Sequence, residues 1–348
     1  MFIRNCWYVI AWEHEVPPDA LFTRTVLGEP ILLFRDDTGA ITALEDRCCH
    51  RHAPLSRGRK EGAAVRCGYH GLKFNTAGEC IEIPGQDIIP PQARVRTYRL
   101  AIHNKWVFVW MGDPALADHA LLPDNFSNND RGWRYKPGYL HYNTDYLLIC
   151  DNLLDFSHLS YVHEKTLGGS TAIAQAKPAI AQLSGPGPRG LRVERHVPNV
   201  PPPPYYHNLR SFSGNIDRWF IYDFVLPGTL LMSSGGRPTG QADSDLSGGV
   251  RLHSCQTLTP ETEHSTHYFF QQAHETHLGD ESITAGLYDG IVAAFHEDQA
   301  MIAAQRASVD RDPSARMMPI AADAALHQFR KIVARAVEAE QSQRAALP

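Results

Sequence analysis

Cys48-x-His50 and Cys67-x-x-His70 constrain this chain more than any other feature, each segment offering one thiolate and one imidazole with 16 residues between them. A zinc finger usually draws both thiolates from one turn and both imidazoles from another. One of each from two loops instead suits a [2Fe–2S] centre in which two Cys hold one iron and two His the other. Pro54, Gly68 and Gly71 stand where tight turns around such a centre would need them. A Cys₂His₂ zinc site and reduced core thiols are the competing readings. Cys49 could compete with Cys48, but only Cys48 has the C-x-H spacing to His50; Cys6, Cys80, Cys150 and Cys255 have no assignment.

At 348 residues the chain exceeds what one core typically fills, and 43% hydrophobic residues are enough for two. Short apolar runs at 31–34, 41–44 and 106–110, with Gly, Pro and Asp turns between them, predict a small β-sandwich over 1–115. Residues 116–135 are polar and turn-rich and read as a linker, followed by a second domain over 136–348. In it the pattern predicts a helical segment around 146–163, strands at 190–197, 218–225, 228–233, 249–258 and 265–273, and helices near 282–307 and 321–340. The fold class is therefore α+β, the second domain an antiparallel sheet flanked by helices. The stretches 167–170 and 200–204 read as exposed connections and candidate lids. The first residues lack a secretory pattern, no run approaches the ~18 apolar residues of a membrane span, and seven cysteines without framework spacing suit reduced thiols. These features predict a cytoplasmic protein that enters no membrane. A net charge of −5 leaves no basic footprint for nucleic acid.

Asp151, Asp155, His158 and His163 concentrate polar ligands in an otherwise apolar segment, where polar side chains need a reason. Asp155 and His158 share a helix face, whereas His158 and His163 would diverge by about 140° on an ideal helix. For both to bind one ion the helix must bend or bulge. A 2-His-1-carboxylate iron site then lacks its carboxylate. Asp298, in the apolar-periodic run 293–302, is the choice, with Glu297 and His296 as competitors.

Taken together, these motifs resemble the oxygenase component of Rieske non-haem iron oxygenases over nearly the whole chain. The resemblance implies a Rieske β-domain followed by a helix-grip catalytic domain. It implies that Cys48, His50, Cys67 and His70 hold the [2Fe–2S] cluster and that His158, His163 and Asp298 hold a mononuclear Fe(II). It further implies that Asp155 bridges the two centres between subunits of a head-to-tail homotrimer. The stretches 1–9, 136–146 and 258–263 look most like the vanillate O-demethylase and toluenesulfonate methyl-monooxygenase branch. That branch implies oxidation of a methyl or O-methyl group on an anionic aromatic, with O₂ as co-substrate and NAD(P)H electrons supplied through a separate ferredoxin-type reductase. Ring dioxygenation and N-demethylation are the enzymatic alternatives. A Rieske electron carrier or redox sensor is the non-enzymatic one, though a carrier needs no second ligand set. Arg251 and His253 alternate onto one face of the expected strand and are candidates for the substrate anion, against an ordinary exposed strand face.

Overall fold

The computed structural model describes residues 2–242, 244–245 and 247–345, which divide into two compact units, 2–119 and 120–345. The first unit carries β1 (Trp7–Trp12), β2 (Phe22–Val26), β3 (Glu29–Arg35), β4 (Ile41–Glu45), β5 (Arg59–Glu61), β6 (Ala64–Arg66), β7 (Lys73–Phe74), β8 (Cys80–Glu82), β9 (Arg99–His103) and β10 (Trp106–Trp110). They pair in small antiparallel sheets ordered β1-β10-β9, β2-β3-β4 and β5-β6-β7-β8. Strand β3 shows why its sequence is a continuous apolar run. Ile31 and Leu33 enter one core with Tyr8, Ile10, Val107 and Val109, whereas Leu32 and Phe34 enter another with Leu55, Val65 and Phe74. A strand buried on both faces has no polar side to show in its sequence. The second core also contains Cys48 and Cys67.

The second unit has β11 (Gly138–Tyr142), α1 (Tyr146–Leu154), α2 (Thr171–Gln175), β12 (Ala179–Gln182), β13 (Gly190–Val200), β14 (Ile216–Val225), β15 (Thr229–Pro238), β16 (Val250–Thr262), β17 (Ser265–His274), α3 (Glu281–Arg311) and α4 (Ala324–Ala345). Its strands form one seven-stranded antiparallel sheet ordered β11-β17-β16-β15-β14-β13-β12. The five longest contain the stretches expected as strands, except that β15 and β16 each begin one residue later, while β11 and β12 were not anticipated. The stretch 146–163 is not one helix: α1 stops at Leu154 and a separate 3-10 turn covers Phe156–Ser160. From residue 120 the segment expected as a linker belongs to this unit, with Asn125, Ser127 and Asn128 buried.

Cross-strand register aligns Tyr222, Met232, Ser254 and Gln272 across four strands, with Phe224, Leu230, Gln256 and Phe270 as the next row. This face meets the helices. Phe224 stands edge-on to Phe329 of α4 at 4.7 Å, Phe270 stacks on Tyr288 and meets Phe295 of α3, and Tyr222 Oη donates to the Leu154 carbonyl at 3.1 Å. Of the expected lids, 167–170 is half-buried and packed: a Cβ on Gly168 would lie 2.5 Å from Pro203 Cβ, and one on Gly169 1.8 Å from the Leu159 carbonyl oxygen, whereas in 200–204 Pro201 and Pro204 are exposed as expected and Val200 and Pro203 are buried. No helix among the described residues is long and apolar enough to cross a membrane.

Gly138 faces Phe270 across the β11–β17 pair, and the ring lies so close that a Cβ would sit 2.2 Å from Phe270 Cζ. Gly138→Ala is expected to lower stability by about 1–3 kcal/mol, as overpacking of a filled site does. Urea unfolding midpoints will check this against Gly279→Ala, whose new methyl meets nothing within 4 Å.

Candidate active site

Asp145 caps α1, its carboxylate accepting from Leu148 N at 3.3 Å, and Asp155 ends it in an extended conformation (φ −119°, ψ 95°). The Asp155 carboxylate then starts the next turn by accepting from Ser157 N at 2.9 Å and Ser157 Oγ at 2.8 Å. Its backbone carbonyl faces His158 Nδ1 at 2.5 Å. A carbonyl can only accept, so Nδ1 carries the proton and Nε2 keeps its lone pair. The break redirects the chain so that His158 and His163 converge, which the unbroken helix would forbid. His163 Nε2 lies 3.1 Å and His158 Nε2 3.5 Å from Asp298 Oδ1, and one ligand atom from each of the three residues falls within 4.8 Å of the others.

All three side chains have a further partner, for Asp298 at the same oxygen that faces the imidazoles. Asn152 Nδ2 donates to Asp298 Oδ1 at 3.0 Å, while Glu297 Oε2 lies 2.8 Å from His163 Nδ1 and accepts from Thr166 Oγ1 at 2.8 Å. Glu297, a competitor for the third ligand position, is thus the carboxylate that orients His163; His296, the other competitor, is exposed and meets Gln299. Burial pushes the His158 pKa down. Burial also works against a charged His163, but the Asp298 and Glu297 carboxylates outweigh it and hold its pKa up. Two imidazole nitrogens and one carboxylate, backed by a carbonyl, a carboxylate and an amide, fit a mononuclear Fe(II).

The three ligands line a cavity, partly open to solvent, whose apolar wall includes Phe156, Leu159, Leu167, Phe220 and Phe295. Arg251 and His253 are not in that wall, which corrects their assignment to the substrate anion. Strand β16 alternates, and it is Gln256 that reaches the cavity; Arg251 and His253 point to the opposite face. There Arg251 pairs with Glu275 (Nε to Oε1, 3.0 Å) over the Trp133 ring, and His253 Nδ1 meets Ser127 Oγ at 2.8 Å. Ser127 Oγ also accepts from Gln271 Nε2 at 2.9 Å, and burial pushes the His253 pKa down to about 4. Arg218 of β14 lines the cavity instead, only 3% exposed. Its signal was available: it is in phase with Phe220, Tyr222 and Phe224, placing a cation on the apolar face of a strand.

The two Cys/His loops of the first unit repeat one backbone pattern. Cys48 N donates to Ala53 O (2.9 Å) and Cys67 N to Leu72 O (2.8 Å), while His52 N returns to Cys48 O (3.0 Å) and Gly71 N to Cys67 O (3.1 Å). His52 and Gly71 take the positive φ (57° and 78°) that closes each loop. Asp46 clamps the first loop by accepting from Ser56 N at 2.7 Å and Ser56 Oγ at 2.6 Å. Both sulfurs are buried, and burial with the neighbouring Cys67 pushes the Cys48 thiol up to about 12. The His50 and His70 rings lie exposed, 4.6 Å apart. Two inner thiols and two outer imidazoles on paired loops fit a [2Fe–2S] cluster. Cys49 points into the same core without the C-x-H spacing.

Comparisons with known proteins agree with both sites. The Rieske [2Fe–2S] domain family matches residues 6–99 and the vanillate O-demethylase oxygenase C-terminal domain family residues 142–339. The chain is 46% identical to the toluene-4-sulfonate monooxygenase system iron-sulfur subunit TsaM1 of Comamonas testosteroni, over 98% of each chain. It is 30% identical to a vanillate O-demethylase oxygenase subunit of Pseudomonas sp. (strain HR199 / DSM 7063), over 98% of this chain and 96% of that one. A crystal structure of dicamba monooxygenase bound to 3,6-dichlorosalicylic acid superposes with a TM-score of 0.89 at 28% identity, covering 98% of this chain and 99% of that one. With a Rieske domain, a 2-His-1-carboxylate iron site and full-length relatives of this kind, the chain belongs to the oxygenase components of the Rieske non-haem iron oxygenase family.

Proposed function

We propose that this chain oxidises a methyl or O-methyl carbon of an aromatic carrying a carboxylate or sulfonate, as the oxygenase component of a cytoplasmic multicomponent monooxygenase. The observation that carries the reading is a His158/His163/Asp298 site set in the wall of a largely apolar cavity, in a chain that also has Cys/His loops built for a redox cluster. The toluene-4-sulfonate and vanillate relatives supply the substrate class.

In this reading Cys48, His50, Cys67 and His70 hold the cluster, and His158, His163 and Asp298 the iron. Bound there, the two centres supply dioxygen activation fed by single electrons from NAD(P)H through a separate ferredoxin-type reductase. The overall balance takes an aryl methyl, O₂, two electrons and two protons to a benzylic alcohol and water; an aryl methyl ether gives a hemiacetal that collapses to a phenol and formaldehyde. The protein's own work is placement. Phe156, Leu159, Leu167 and Phe295 enclose a flat apolar ring and exclude water, while Asn152 and Glu297 hold Asp298 and His163 in orientation.

Asp155 is the proposed link between the redox centres, joining His158 to His70 of the partner subunit in a homotrimer. Its contact with His158 runs through the backbone carbonyl and its carboxylate caps Ser157, so the link depends on the shape of this turn as well as on the charge.

Anaerobically purified protein is expected to contain three irons and two acid-labile sulfides per chain with a Rieske EPR signal after reduction, and His158→Ala to lose one iron and all turnover while keeping that signal. Zinc in place of iron would sink the assignment. Asp155→Asn keeps the cap and is expected to retain both metals yet slow turnover at least about tenfold, in line with changes next to metal ligands; stopped-flow reoxidation of the cluster will show whether electron transfer is the slowed step. With isotopically labelled O₂, one labelled atom belongs in the product, and two would point to ring dioxygenation.

A further inference from the structure

Arg218 is a buried cation with half of its guanidinium unused. Nη1 donates to the Gly168 carbonyl at 3.2 Å, and Cζ lies 5.6 Å and 5.0 Å from the centroids of the Tyr206 and Phe220 rings. Nε and Nη2 make no hydrogen bond of normal geometry among the described residues, although the buried Tyr206 hydroxyl lies close enough to feel the Arg218 charge. A buried guanidinium without a counter-ion is costly, and proteins pair or hydrogen-bond such groups. Arg195, one strand over, shows the satisfied alternative: equally buried, it gives Nη1 to the carbonyls of Ile173 (2.8 Å) and Ala176 (2.6 Å).

The unused atoms form one edge of the fork, with two parallel N–H groups spaced for two oxygens of a single anion. The same edge takes a carboxylate elsewhere in this chain, where Arg192 Nε and Nη2 meet the two oxygens of Asp223 at 2.8 Å each. On Arg218 that edge is vacant, and the side chain lines the cavity that holds His158, His163 and Asp298. The geometry points to Arg218 as the anchor of the substrate's anionic group, binding two oxygens of an aryl carboxylate or sulfonate through Nε and Nη2. The assignment rests on the reading of this cavity as the substrate site. The Gly168 contact fixes the fork, and Phe220, which lines the same cavity, continues from it as surface for the aromatic body. A charged anchor in such a wall rejects a neutral isostere because the site's donors would then go unmet.

Calorimetry on the anaerobic holoenzyme tests this without turnover, using 4-methylbenzoate and 4-methylbenzenesulfonate against the neutral 4-methylbenzamide. Wild type is expected to bind the anions at least about 30-fold more tightly than the amide, and Arg218→Gln to lose about 30-fold or more for the anions with little change for the amide, as for removal of one side of a buried charged pair. Arg218→Lys, which keeps the charge but not the fork, is expected to recover part of the loss. Iron content and circular dichroism will establish that the variants are folded and loaded. Equal wild-type affinity for anion and amide overturns the proposal with no variant needed, as does Arg218→Gln binding the anions like wild type. Either result would leave the oxygenase reading standing, whereas anion-selective binding without oxidation of any methyl group would count against that reading and spare Arg218.

Discussion

The catalytic site depends on where one helix stops. Asp155 leaves helical geometry, and its two acceptors divide the work: the carboxylate nucleates the next turn on Ser157 while the carbonyl orients the His158 ring. Without this break His158 and His163 would face different directions, and Asp298 would be a buried carboxylate with only Asn152 for company. With it, three ligand atoms converge from two segments whose other contacts are already satisfied. The ligand geometry is thus set by hydrogen bonds of the segment 155–166, of Asn152 in α1 and of α3.

The two sites were legible in the sequence to different degrees. The Cys/His loops could be read directly, because each loop's ligands are two or three residues apart and lie within turns that Gly and Pro announce. The iron ligands were readable only by pairing a local cluster with a residue 135 positions away, and Asp298 and Glu297 could not be separated by type alone. Their roles differ by about 100° around α3: one turns to the imidazole nitrogens and the other to the back of His163.

The substrate face was misread for a related reason. Strand periodicity says that Arg251 and His253 share a side but not which side meets the helices, and burial on both faces of β16 removes the usual contrast. The buried outer face is made by 120–135, whose polar composition reads as linker yet whose Ser127 completes a hydrogen-bond network with Gln271 and His253. The sheet register, which only long-range pairing fixes, decides that β14 and not β16 sends its cation inward. Long apolar-periodic strands were recognisable; the short edge strands β11 and β12 carry too few residues to show a period.

Strand β3 has an implication for how the first unit finds its register. Because Ile31 through Phe34 are all apolar and serve two cores, sliding the strand by one residue would exchange the two sets without burying a single polar group there. Polarity therefore cannot select the alignment, and the ends must. At one end Leu27 and Gly28 take positive φ in a tight turn from β2; at the other, Arg35 spreads its guanidinium over the carbonyls of Val16, Glu13 and Gly39. The alignment of the strand between the two cores is in effect proofread by a turn and a cation at its ends, neither of which is among the Cys and His residues of the two loops.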